Sequence, residues 1–475
     1  MATSRVNFGE WLPDQPGLVG ALTVAKNVYP KAVGYGPFME EVDYSGDASE
    51  VLSAVVGAID TSGVSRLIAG GSTKLFLFDS ADLSLDNISA TTYTTVTDRW
   101  RFTQFGNTLI AAGHPNTLQS YDLTTTGNFT TVSGAPKAKL VTVVRDFVVT
   151  ANSTDGSNRV QWSGINDPTT WSSSAVTQSD FQDIPDGGEI RGITGGEFGL
   201  VLCARSIHRM SYVGTPLVFQ FDNIARNLGC YESNSVIQWQ GVTYFLADDG
   251  FYSCNGQQIE PIGAEKVNRF FFDTIIESDI DEMSAAVEPT KNLVMWGYPT
   301  LNNTYRILVY HLVTKRWSYV DTTVNRIADS TTPSVTLEAL DTFSASIDAL
   351  GTSLDSRLWL GGNMMFSGVK GSKIVTFTGA NKQASIETAD LNEIPSAAMV
   401  TLAKPIIDNG SASVAIASRF LLNQTPTFNN EVAADSENRV GLRSVGKFHR
   451  LRVNPTGNWQ TAIGVEIESQ PAGSR

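Results

Sequence analysis

Short apolar runs rich in Val, Ile, Thr, Tyr and Phe recur in pairs along most of this chain, each pair split by a turn of small or polar residues. RLIAGG (66–71) precedes KLFLFD (74–79), NTLIAAG (107–113) precedes LQSYDL (118–123), and DFVVTAN (146–152) precedes RVQWSG (159–164). The series continues with GLVLCAR (199–205) and IHRMSYVG (207–214), then VTYFLAD (242–248) and GFYSCNG (250–256). NLVMWGY (292–298) with YRILVYHL (305–312), and RLWLGGN (357–363) with KIVTFTG (373–379), complete it. Asp248-Asp249-Gly250 is a strong hairpin signal, because such turns need positive φ. The first runs centre near Ile68, Ile110, Val148, Leu200, Tyr244, Val294 and Leu358, mostly about forty to fifty residues apart, the blade period of a β-propeller. A string of β-sandwiches also produces frequent strands, but recurrence at blade length favours an all-β propeller of six or seven blades.

Helix is scarce. GAEKVNRFFFDTIIES (263–278) places Val267, Phe270, Phe271 and Ile275 on one helical face, and LEALDTFSASIDALGTSL (337–354) reads as a linker with a turn or two. The texture changes after about residue 385. SVAIASRFLL (413–422), GLRSVGKFHRLRVN (441–454) and WQTAIGVEIES (459–469) predict longer strands with wide loops, as in a β-sandwich-like platform. Residues 1–50, with Pro13, Pro16, Pro30 and Pro37, read as an extended arm laid on that platform. The expected organisation is an arm over 1–50, a propeller over 51–384 and a platform over 385–475.

The chain carries 48 acidic and 34 basic side chains, a formal charge of −14. That argues against a broad DNA-gripping face, which needs many phosphate-neutralising Lys and Arg. Its 41% hydrophobic content excludes wholesale disorder. No apolar run is long enough to span a bilayer, and no basic region followed by an apolar one opens the chain, so no secretory signal is expected. Cys203, Cys230 and Cys254 lack metal or disulfide spacing and are expected to be buried thiols in a protein made in a reducing cytoplasm.

Catalytic chemistry finds little support. His114, His208, His311 and His449 are the only histidines, none beside a nucleophile motif, and each is expected to be structural. No HExxH, P-loop or GxGxxG occurs, so neither cofactor nor metal is expected. The acidic groups Glu277, Asp279, Asp281, Glu282 and Asp79, Asp82, Asp86, Asn87 lack EF-hand spacing and read as solvated loops. STDGSNRVQW (153–162) is only superficially like a sialidase Asp-box, since Trp162 stands too far from Asp155-Gly156. In GKFHRLRVN, strand alternation puts Arg450 and Arg452 on one face and His449, Leu451 and Val453 on the other. With Arg439, Arg443 and Lys447 nearby, this strand is either a solvated basic face or a contact that pairs with carboxylates of a neighbouring subunit.

Four stretches together resemble a known family, the tail nozzle proteins of short-tailed bacteriophages, also called packaged-DNA stabilisation proteins. They are the opening FGEWLPDQPGL with AKNVYP and GYGPF; QWSGINDPTTW (161–171); the long segment from LGCYESN to NRFFF (228–272); and the ending from GKFHRLRVN to AGSR (446–475). The resemblance implies a non-enzymatic virion protein, made in the host cytoplasm and assembled into the tail. It would be one subunit of a homo-oligomeric ring, typically a hexamer, below the head-to-tail adaptor and the portal complex. Tail fibre or spike proteins would attach nearby. The ring would surround double-stranded DNA without reading its bases, and hold the packaged genome until ejection. It also implies ring contacts from a platform built of both chain ends, with Trp11 and Asp14 of the W-x-PD segment joining Arg443, Lys447, Arg450 and Arg452 as inter-subunit or adaptor contacts. The rival expectation is a glycan-binding propeller with shallow pockets lined by Trp162, Trp171 or Trp317.

Overall fold

The computed structural model describes residues 2–15, 20–302, 304–335, 339–340, 344, 346–349, 354, 361–391 and 397–472. Six four-stranded antiparallel sheets, and the first four strands of a larger sheet, form the seven blades of a propeller. Blades 1 to 6 are consecutive in the chain, spanning 52–87, 101–131, 138–183, 190–226, 237–261 and 284–322. Each expected run pair from blades 1 to 6 is the second and third strand of its blade, the two most deeply packed.

Blade 7 is assembled from both sides of the chain. Arg326–Thr331, Met364–Lys370 and Lys373–Thr376 are its inner three strands, and Val42–Asp43 of the arm is the fourth. Val375 pairs with Asp43 and Thr376 with Val42, Lys373 Nζ lies 2.8 Å from Asp43 Oδ2, and Tyr44 stacks on Phe78 of blade 1. The expected partner of 373–379 is thereby corrected. It is Met364–Lys370 and not 357–363, because Gly371, at φ +60°, makes a tight turn that returns the chain directly onto 373. Residues 357–360 lie outside the described residues, as does most of 337–354, where Ile347–Ala349 forms one 3-10 turn. Blade 7 then closes the ring on blade 1: Ser65 Oγ is 2.9 Å from Thr331 Oγ1. A Cβ on Gly57 would stand only 2.0 Å from that threonine oxygen, so the two inner strands meet at a distance only glycine allows.

The platform is two packed sheets. One runs 28–30, 35–37, 461–471, 398–408, 440–446, with Ala2–Asn7 also paired to Thr461–Pro471. The other runs 22–26, 385–388, 448–456, 411–419, 432–433, and joins the edge of blade 6 through a parallel bridge between Lys26 and Tyr319. A single apolar cluster fills the sandwich and continues into blade 6 and the helix Asn268–Thr274. Its members include Trp11, Tyr35, Phe271, Trp296, Trp317, Ile386, Val400, Leu451 and Val465. The propeller and platform therefore share one core. Of the face expected for the helix, Phe271 and the capping residues Val267 and Ile275 are buried, and Phe270 is partly so.

Candidate functional site

The basic strand of the platform is Phe448–Thr456. It alternates as expected, with His449, Leu451 and Val453 buried and the arginines on the opposite face. The carboxylates that meet those arginines belong to this same chain. Arg450 holds Asp390 in a fork, with Nε to Oδ1 at 3.1 Å and Nη2 to Oδ2 at 3.2 Å. Arg452 reaches Glu387 Oε2 through Nε and Nη2 at 3.2 and 3.1 Å, and its guanidinium stacks 3.9 Å from the Phe428 ring centre. Arg419 also binds Asp390 and donates to the carbonyls of Leu422 and Gln424. Asp390 and Glu387 are buried, so these contacts are shielded from solvent.

The expected contact set accordingly separates. Arg450 and Arg452 are committed within the chain. Trp11 is fully buried, donates to the Thr23 carbonyl at 3.1 Å and packs against Phe270 and Tyr319, so it has no surface to offer a neighbour. Asp14 accepts the backbone N–H groups of Arg269 and Phe270, both at 2.8 Å, and so caps the helix from a distant part of the sequence. Both residues of the W-x-PD segment thus tie the arm to the propeller, and the burial of Trp11 corrects its expected role as a contact. Arg443 and Lys447 are exposed, with no ion-pair partner among the described residues. Sequence reasoning missed their neighbours: Phe420, Leu421 and Leu422 are 47, 58 and 49% exposed in a loop held by the Arg419 bonds. The Lys447 N–H donates to the Arg419 carbonyl at 2.9 Å, so the apolar loop starts beside Lys447 at one platform edge. The signal was present as an RFLL run following a strand, with nothing polar to interrupt it.

The propeller axis is a second feature. A chamber of about 370 Å³ is lined by inner-strand residues of all seven blades, among them Val55, Phe102, Thr142, Thr194, Gln238, Ala285 and Asp329. Its mouth at the start of the inner strands is spanned by side chains from blade 2. Arg99 Nη2 donates to the Asp281 and Met283 carbonyls leading into blade 6, at 2.9 and 2.8 Å. Arg101 Nη2 stands 2.7 Å from Asn234 Oδ1 and 2.9 Å from Ser233 Oγ before blade 5. Asp98 lies between the two arginines. Burial pushes its carboxyl up, but Arg99 and Arg101 outweigh that and hold it below the usual range. Glu232, which caps the 3-10 turn Ser233–Ser235, is raised by burial. Asp329 has no ion-pair partner among the described residues, and burial raises it too.

The remaining candidates are structural in their surroundings. Trp162, Trp171 and Trp317 are buried and donate their indole N–H groups to the carbonyls of Gln178, Pro168 and Ile262. The expectation that they line shallow pockets is corrected, since their rings fill the space inside and between sheets. Ser206 Oγ is 2.9 Å from His208 Nε2, and Ser418 Oγ is 2.7 Å from His449 Nδ1, each pair within a packed sheet. His311 Nδ1 accepts from the backbone N–H groups of Val313 and Thr314, and His114 Nδ1 lies 3.3 Å from Thr97 Oγ1. Asp79, Asp82 and Asn87 accept backbone N–H groups two residues ahead, as turn-forming residues do. The three cysteines are buried free thiols, and burial raises Cys203 to about 11 and Cys230 to about 12. Among the described residues, no helix is long and apolar enough to cross a membrane.

These sheets define a β-propeller protein with an attached β-sandwich. No family model and no curated protein matches the chain. Among solved structures it is similar to the Neurospora crassa Pan2 WD40 domain, at 9% identity and a TM-score of 0.40, covering 74% of this chain and 98% of that one. YCF48 bound to D1 peptide matches at 9% identity and 0.39, covering 74% and 97%. A chain of the mitotic checkpoint complex matches at 11% and 0.37, covering 61% and 88%.

Proposed function

We propose that this chain is a non-enzymatic structural subunit of the tail nozzle of a short-tailed bacteriophage. Six or so copies would form a ring through their platforms around the DNA exit channel, below the adaptor and portal, and retain the packaged genome until ejection. The observation that carries this reading is the platform itself. Both chain ends are interleaved in its sheets, the arrangement the sequence resemblance implies, and one edge presents Phe420, Leu421 and Leu422 beside the exposed Lys447. An apolar centre with a charged rim is the usual anatomy of a protein contact. DNA would run between subunits and not through any propeller, whose axis holds only a chamber of about 370 Å³ with Arg99 and Arg101 spanning its mouth. The acidic excess suits such a lumen, because like charge keeps the duplex from adhering to the wall.

The test is a pull-down of purified adaptor and portal complexes with this chain, followed by electron microscopy of any assembly. Rings on the adaptor, weakened by Leu421→Asp, are expected. Failure to bind either complex overturns the reading, and so does a lumen lined mainly by Lys and Arg.

A further inference from the structure

A cleft of about 190 Å³ lies between blades 5 and 6. Its wall is aromatic. Tyr244, from strand Val242–Ala247, and Tyr310, from Tyr305–His311, have ring centres 6.4 Å apart with planes inclined by 55°. Tyr310 is 3% exposed and packs against Trp317 at 4.8 Å. A tyrosine buried to this degree ordinarily gives its O–H to a protein acceptor. No described residue hydrogen-bonds the Tyr310 hydroxyl or that of Tyr244, and both residues line the cleft. Burial raises both phenols, and the neighbouring Tyr244 and Glu260 raise Tyr310 further, so each stays a neutral donor.

The rim is polar and uncommitted. Asn255 spends its Oδ1 on the backbone N–H groups of Gln257 and Gln258, at 3.0 and 2.8 Å, and its two amide N–H groups meet no acceptor among the described residues. The exposed Gln258 adds an amide. Glu260 and Lys315 stand 3.9 Å apart, too far to saturate one another, and offset each other in charge. An aromatic wall ringed by unspent donors and acceptors, with no net charge, matches a ring that carries C–H groups on its faces and hydroxyls around its edge. The cleft is smaller than the roughly 300–1,000 Å³ typical of drug-sized ligands, which limits the occupant to a single ring. We infer that the cleft between blades 5 and 6 binds one neutral sugar residue, held against Tyr244 and Tyr310 by hydrogen bonds from Asn255, Gln258 and the two phenols.

This inference is independent of ring assembly and is tested on the full chain alone. Saturation-transfer NMR with glucose, galactose, mannose and N-acetylglucosamine covers the free sugar, and a second arm with bacterial surface polysaccharide covers the same residue at a chain end. Millimolar binding of at least one sugar, or of polysaccharide alone, is expected. Tyr310→Phe, which keeps the packed ring, and Gln258→Ala, at an exposed position, should each weaken it roughly twofold to tenfold, the worth of one hydrogen bond. No transfer from any sugar and no polysaccharide binding overturns the inference. Binding unchanged in both variants also overturns it, by placing the sugar elsewhere.

Discussion

Replacing Arg99 with alanine tests whether the polar network across the propeller mouth holds the ring together. Arg99 comes from the segment entering blade 2, and its acceptors precede blade 6, so the contact joins blades that are not neighbours in the ring. Its side chain is 10% exposed, so solvent screening removes little of its value. Alanine deletes the two hydrogen bonds to these carbonyls, each worth about 1.5–3 kcal/mol for a charged donor, and the Nε bond to the part-exposed Asp98, which contributes less. The Asp281 carbonyl keeps its bond from Asn234 Nδ2 at 2.8 Å and is exposed, whereas Met283 is buried. Discounting the first leaves an expected loss of about 2–4 kcal/mol. At about 2 °C per kcal/mol for a large chain, the melting temperature should fall by roughly 4–8 °C. Arg99→Lys should recover only part of this, since one ammonium cannot serve both carbonyls and Asp98 with the geometry of a guanidinium. Thermal and urea unfolding measure the loss, and hydrogen exchange at 281–284 localises it. A melting temperature within 1 °C of the parent, with unchanged exchange there, would refute the idea that the mouth is braced across the axis.

Arg450→Glu should destabilise the platform by about 3–5 kcal/mol, the cost of breaking a buried pair. Arg443→Glu should leave unfolding within about 0.5 kcal/mol of the parent while impairing assembly, so equal effects from the two would contradict their different surroundings. Asp14→Ala should cost about 0.5–2 kcal/mol, as loss of a helix cap does, with faster exchange of the Arg269 and Phe270 amides as its signature. Burial lowers the pKa of all four imidazoles from the ordinary 6.5. The unfolded chain therefore binds more protons just below that value, so the histidine contribution is complete above pH 6.5 and declines as pH falls beneath it. Glu232, raised by burial, acts in the opposite sense, losing its contribution as pH rises from about 4.5. His449→Asn should flatten the melting-temperature slope between pH 7.5 and 5.5, and an unchanged slope would remove His449 from that account.

What the sequence made legible follows burial. Phe147–Ser153 is buried along its whole length and Thr108–Ala112 nearly so, and such runs announce themselves. The inner strand Arg101–Phe105 lines the axis with Arg101 and Phe102 but has no fully buried residue, and the outer strands Thr130–Thr131 and Asp180–Asp183 are wholly exposed. None of these carries an apolar period, so the second and third strands of blades 1 to 6 were readable and strands such as these were not. The alternation of 448–453 was equally legible, but the owner of the opposing carboxylates was not, because Asp390 and Glu387 are brought in by tertiary pairing. Trp11 and Asp14 stood out as a motif. Their burial and capping role depend on a helix some 250 residues away in the chain, as the 255-residue separation of the Asp14–Arg269 bond shows.

The arm's part in blade 7 and the platform also imposes a timetable on the newborn chain. Leu22–Lys26 and Val42–Asp43 emerge early, yet their antiparallel partners are Ser385–Thr388 and Lys373–Thr376. At about 5–20 residues per second, translation keeps these strands waiting for on the order of 20–70 s. Through that interval Leu22, Ala25 and Val28, all buried in the finished protein, have nowhere native to go. The ring can latch, and the sandwich fill, only once residues 373–388 and the platform strands after them have emerged. A polypeptide stopped short of residue 373 would leave the ribosome with an open propeller and a free strand edge.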